Sequence, residues 1–124
     1  MDRAQLPCQA TEVAPDGSEV RKLVRGSRAS LVHCTLPAGA TSKAVTHATI
    51  EEVWYFTNGC GQVWRKRGAQ ERVVEVSPGT ALTIAPGTAF QFRNTGTDEL
   101  RFIIASMPPW PGDEEAVEAP GHWR

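Results

Sequence analysis

Short stretches of alternating apolar and polar residues, each closed by a turn signal, run through most of this chain. From Ala29 to Leu36, the residues Val32, Cys34 and Leu36 fall on one face of a strand and Leu31, His33 and Thr35 on the other, so Cys34 is expected to point inward. His33 is expected to be exposed or locally hydrogen-bonded. Val53-Trp54-Tyr55-Phe56 joins β-branched and aromatic side chains in one run, the composition of a half-buried strand. In Ala89 to Asn94 the apolar pair Phe90 and Phe92 shares one face, which leaves Gln91 and Arg93 on the outside. Ser18 to Val24, Gln62 to Lys66, Glu71 to Val76, Ala81 to Ala85 and Leu100 to Met107 read as further strands. Turns at Arg25-Gly26-Ser27, Gly59-Cys60-Gly61, Arg67-Gly68-Ala69-Gln70, Ser77-Pro78-Gly79, Ala85-Pro86-Gly87 and Asn94-Thr95-Gly96 separate them. Recurrence of turns at about 8 to 12 residues, with no helix-length periodic segment, predicts an all-β sandwich or barrel.

The two ends of the chain depart from this pattern. Residues 1–18 carry Pro7, Pro15, Asp16 and Gly17 with little periodicity and read as an arm with a short strand near Thr11 to Ala14. After Met107 the chain becomes Pro108-Pro109-Trp110-Pro111-Gly112, whose prolines cannot donate to a central ladder. The expected organisation is one domain over 1–124, with an arm over 1–18, a barrel over 19–107 and a tail over 108–124. Asp113 to Val117 is expected to open a short helical turn with acids at its N-terminus. The tail reads as a strap that sets Trp110 and Trp123 into external grooves, or as a lid.

Composition excludes several partners. A formal net charge of −1, with 13 Lys and Arg scattered along the chain, provides no basic stripe for nucleic acid. No apolar run approaches the ~20 residues that span a bilayer. Three cysteines without paired spacing, and a first segment without a signal-peptide core, predict a soluble protein of the reducing cytoplasm. One hundred and twenty-four residues suffice to bury about two-thirds of the unfolded surface without disulfides or metal. Apolar surface on the arm and the Trp-rich tail predicts a homodimer.

Candidate chemistry concentrates between Pro37 and Gly59. His47 and Glu52 are a histidine and a carboxylate close together in sequence, and Glu52 leads into the aromatic strand, so a polar pair sits at the mouth of an apolar wall. From Gly39 there are five residues to Val45, one between Val45 and His47, four between His47 and Glu52, and six between Glu52 and Gly59. A second block follows with Gly79, Ala85-Pro86-Gly87, Phe90 and Asn94. This cadence resembles the two motifs of the cupin superfamily, which implies a double-stranded β-helix, or jelly-roll barrel. Of the four metal ligands that family usually carries, His47 and Glu52 stand at their positions, while Val45 and Phe90 replace the two other histidines.

The resemblance therefore implies a drier pocket, poorer in ligands. Val45, Trp54, Phe56, Phe90, Phe92 and Cys34 are its expected substrate-binding walls, and His47 and Glu52 its expected catalytic residues. A divalent metal held by His47 and Glu52 would fall a ligand short of a catalytic zinc or a non-haem iron site, so no cofactor is expected. No spacing argument recruits Cys34, His33 or His122 as the missing donor. Without a metal, the pair can form a dyad in which Glu52 orients His47 and favours its protonated form, while apolar walls push the Glu52 pKa upward. Tyr55 and Lys43 are weaker candidates for a donor, and Cys60 is read as incidental. Three functions follow: a proton-transfer enzyme (isomerase, epimerase or cyclase type) acting on a small carbonyl compound; a non-catalytic small-ligand sensor or carrier; and a metal-dependent dioxygenase or isomerase.

Overall fold

The computed structural model describes residues 1–124. Eleven strands form in the order β1 (Glu12–Val13), β2 (Glu19–Arg25), β3 (Ser30–Leu36), β4 (Val45–His47), β5 (Glu51–Asn58), β6 (Gly61–Arg67), β7 (Gln70–Val76), β8 (Ala81–Ile84), β9 (Ala89–Asn94), β10 (Leu100–Met107) and β11 (Ala116–Glu118). The single helical element is a 3-10 turn over Asp113–Glu115. All pairings are antiparallel, in one sheet ordered β1-β2-β3-β10-β5-β8 and another ordered β11-β4-β9-β6-β7. The chain is all-β, with the expected jelly-roll architecture.

Register follows from the alternation of side chains. Every second residue of β5 is buried, which turns Glu52, Trp54 and Phe56 inward and leaves Val53 and Tyr55 outside. Val20, Cys34, Phe102 and Phe56 form one inner row across β2, β3, β10 and β5. Val32, Ile104, Trp54 and Leu82 form the next, and Ser30, Ser106, Glu52 and Ile84 a third. From the opposite sheet Phe90 and Phe92 meet Trp54 with ring centroids 5.3 and 5.5 Å away, nearly edge-on, and Phe102 lies 4.8 Å from Trp54. Burying each such ring stabilises the fold by roughly 1.5–3 kcal/mol. Gly59, at φ +82°, closes the β5–β6 turn where any Cβ would collide with the Glu99 carbonyl.

Three expectations change. His33 does lie on the outer face but is buried, flanked in register by Arg21 and Ile103, with its Nδ1 unpartnered. Its pKa falls through burial and the nearby Arg21 and Arg101 charges, with Glu99 opposing. Gln91 also points away from the barrel, yet it is buried because the tail crosses it. Its amide donates to the carbonyls of Ser42 and Trp123 and accepts from the N–H groups of His122 and Trp123. Finally, the helical turn expected over Asp113 to Val117 stops at Glu115. The next three residues pair with β4 instead, because that edge is open and an added strand satisfies backbone groups that a free helical turn would leave to water.

Candidate functional site

β4 is three residues long and places Val45 and His47 inward on either side of Thr46. β5, next in the chain but in the opposite sheet, brings Glu52 to the same end of the barrel, buried to 3% exposure. Its Oε1 accepts from the Trp54 indole N–H at 2.9 Å, and its Oε2 is bonded to the Ser106 hydroxyl at 2.9 Å. Ser106 reaches it because β10 sets Ser106 directly opposite Glu52. The His47 Nδ1 is 3.6 Å from Glu52 Oε1, beyond a hydrogen bond, and has no other partner. Phe90 and Trp110 hold the imidazole ring with centroids at 4.9 and 5.1 Å, both edge to face.

This environment reverses one expectation. Burial lowers the His47 pKa to about 4, with Glu115 opposing, so the imidazole is neutral at pH 7 rather than protonated. Burial likewise raises Glu52 to about 7, against the hydrogen bonds from Trp54 and Ser106 and with Asp16 and Glu115 adding to the rise. The pair is therefore not an ion pair at any pH. It is a carboxyl group poised near neutrality beside a neutral imidazole, because withdrawing both groups from water costs more than their attraction across 3.6 Å returns.

Around the pair lies a cavity of about 190 Å³ between the sheets. Cys34, Val45, Trp54 and Phe90 line it, as expected. Phe56 and Phe92, expected as walls, do not: they pack against Phe102, with ring centroids at 4.7 and 5.2 Å, in the core. Strand parity puts them on the inner face, but parity cannot tell which end of the barrel a side chain reaches. Cys34 is fully buried, and its thiol is held well above its ordinary pKa by burial, with the Asp16 and Glu52 charges adding to this. It is no thiolate ligand or nucleophile at neutral pH.

Further lining residues come from the two ends of the chain. Asp16 and Ser18 enter from the turn before β2, and Trp110, Asp113 and Ala116 from the tail. Trp110 is anchored by its N–H to the Ser30 hydroxyl at 3.0 Å and by its carbonyl to Arg25 at 2.6 Å. Ala116 pairs with His47 itself. Glu115 bonds the Thr49 hydroxyl, the Thr49 N–H and the Ile50 N–H, tying the tail to the β4–β5 turn. Trp123 lies under Arg93, whose guanidinium sits 4.4 Å from the ring. Only Ser106 carried a usable signal in the sequence, its inward parity in a predicted strand; Asp16, Trp110 and Glu115 are brought in by long-range docking.

The decisive comparison is with protein families: the cupin-domain model matches residues 32–106. The chain belongs to the cupin family. An uncharacterized protein of Methanocaldococcus jannaschii is 26% identical to this cupin over 110 residues, spanning 85% of each chain. Among solved structures, an uncharacterized Klebsiella pneumoniae protein with a double-stranded β-helix domain superposes with a TM-score of 0.70. That match is 16% identical and covers 88% of this chain and 91% of the other. An oxalate decarboxylase variant from B. subtilis gives a TM-score of 0.79 at 13% identity, with 95% of this chain matching 32% of that longer one.

Metal ligation, common in cupins, fits this donor set poorly. No three His, Cys, Asp or Glu side chains converge as a metal-binding group. Val45 and Phe90, each 1% exposed, occupy the inward positions where the motif resemblance would place two further histidines. With Cys34 protonated and Glu52 bonded to Trp54 and Ser106, His47 and Glu52 fall short of the three protein ligands a catalytic zinc takes.

Proposed function

We propose that this cupin binds a small carbonyl compound in the barrel and moves a proton on it, with Glu52 as the acid-base group and neutral His47 as its hydrogen-bonding partner on the substrate. One observation carries this reading: the buried Glu52 carboxyl, with a pKa of about 7, faces an unpartnered His47 nitrogen at a mainly apolar cavity that opens to solvent. A general base works best when its pKa lies near the operating pH. Removal of water by Trp54, Phe90 and Trp110 supplies that shift. The reaction class is isomerisation, epimerisation or cyclisation through an enol or enolate.

A second reading, a non-catalytic sensor or carrier, is favoured by a different detail. Both Glu52 oxygens already have partners in Trp54 and Ser106, as suits a fixed anchor. Proton-deuterium exchange separates the two. In D2O, NMR of a panel of small aldehydes and ketones should show α-proton exchange that depends on the protein and disappears in Glu52→Gln. Ligand-induced thermal stabilisation without exchange would assign the carrier role.

The protein is also proposed to work as a homodimer. The Trp-rich tail packs on its own barrel, so the surface best suited to assembly is the outer face of the six-stranded sheet, where Val53 and Tyr55 are exposed beside Ile103 and Ala105. No helix is long and apolar enough to cross a membrane. The three free cysteines, Cys8, Cys34 and Cys60, suit the reducing cytoplasm proposed as its location.

A further inference from the structure

The charges around the cavity suit one class of ligand, and this inference rests on the small-molecule site described above. We propose that the ligand carries an amine, its ammonium group received between Asp16 and Glu52 and its apolar body packed against Trp54, Phe90 and Trp110.

Four carboxyl groups line the cavity: Glu12 on β1, Asp16 before β2, Glu52 on β5 and Asp113 in the tail. Asp16 is held in place by its Oδ1, which accepts from the Ser18 N–H at 2.9 Å and the Ser18 hydroxyl at 2.6 Å, and its second oxygen takes no bond within the protein. Two cations, Lys22 and Arg25, stand at the mouth. Lys22 lies 3.5 Å from Glu12, and Arg25 donates to the Trp110 carbonyl. Both are exposed at the rim, so no Lys or Arg is buried among the lining residues, and an anion deeper in the cavity would meet Asp16 and Glu52 instead.

The second, independent sign of a missing partner is His47. It is 5% exposed, lines the cavity and has an Nδ1 without any hydrogen bond. A buried polar atom of this kind costs free energy until something pairs with it, and a neutral imidazole can accept one N–H of an ammonium. The remaining surface is aromatic, and the negative faces of aromatic rings attract cations. Burial opposes ionisation of Asp16 and Glu52, and a cation between them relieves that cost.

The test uses three probes of one shape, benzylamine, benzyl alcohol and benzoate, titrated calorimetrically into the full-length protein at pH 8, where the amine is still protonated. Benzylamine should bind at least about tenfold more tightly than benzyl alcohol, a difference of about 1.4 kcal/mol, and benzoate should give no heat. Asp16→Asn, which keeps an oxygen for Ser18, and Glu52→Gln should each erase the preference for amine over alcohol. Equal binding of amine and alcohol would overturn the amine assignment while leaving a small-molecule site in place. Tighter binding of benzoate, no binding of any probe, or an amine preference that survives both substitutions would also overturn it. None of these readouts is proton exchange, so the assignment and the proposed reaction can fail separately.

Discussion

Two buried glutamates sit on either side of His47, and they titrate in opposite directions. Glu52, inside the barrel, is raised to about 7, because burial outweighs the hydrogen bonds from Trp54 and Ser106. Glu115, on the tail, also feels burial as an upward push. Bonds from the Thr49 hydroxyl and the Thr49 and Ile50 N–H groups, with His47 contributing, overcome it and leave the carboxyl below its ordinary pKa. The difference lies in the donors. Backbone N–H groups of a turn that would otherwise be orphaned converge on Glu115, which makes it a structural clasp. Glu52 is left poised between its two protonation states, as suits chemistry.

The comparison breaks most visibly through activity. Glu52→Gln keeps the acceptor for Trp54 and removes the titrating proton, so the proton exchange proposed here should fall by about 100- to 10,000-fold. An exchange rate within a fewfold of the unsubstituted protein would move the chemistry away from Glu52. Glu115→Ala should act on stability instead. It strands two turn N–H groups and unclasps the tail from the β4–β5 turn, at a cost of about 2–4 kcal/mol in chemical denaturation at pH 7. A loss under about 0.5 kcal/mol would show that Glu115 is no structural clasp.

Stability against pH sharpens the contrast. The folded Glu52 pKa lies above its unfolded value, so its contribution is complete below about pH 4.5 and is lost as pH rises through about 7. His47 has a lowered pKa and works the other way, adding stability as pH rises from about 4 to 6.5. Glu52→Gln removes the first effect alone. Relative to the unsubstituted protein, it should gain roughly 3 kcal/mol between pH 4.5 and pH 8, and a flat difference across that range would contradict the raised pKa.

Two smaller effects concern the walls and the outer surface. Phe90→His places an imidazole on the inner face beside His47, so zinc affinity by competition titration should rise by at least about tenfold. Gln91→His faces the tail and should bring no gain. Tyr55→Glu on the exposed sheet face should convert a dimer to a 13.5 kDa monomer by light scattering. A monomeric parent protein would remove the dimer from the account.

Much of the barrel was legible in the sequence because strand parity is a local property. Cys34, Glu52, Trp54 and Phe90 all face the side that alternation predicts. The inward placement of Val45 and Phe90, where the motif resemblance would set two histidines, was legible too. Other features depend on where distant segments dock. Gln91 reads as solvent-facing until residues 122–123 close over it, and Phe56 and Phe92 share the parity of cavity residues but lie at another level of the core. Asp16 and Trp110 sit in turn-rich ends with no periodicity to mark them. The protonation state of His47 was misread because a nearby carboxylate suggested charge pairing, whereas in the fold burial dominates both groups.

The claim at the centre of this account is that Glu52 stays protonated close to neutrality while His47 stays neutral. Carboxyl carbon NMR of protein labelled with 13C-glutamate, with the Glu52 resonance assigned by its absence in Glu52→Gln, reads this directly. Glu52 should titrate with a midpoint at about pH 7, with the His47 ring carbons showing no protonation until about pH 4. A Glu52 midpoint near the ordinary 4.5, with His47 protonating above 6.5, would establish an ion pair and contradict it.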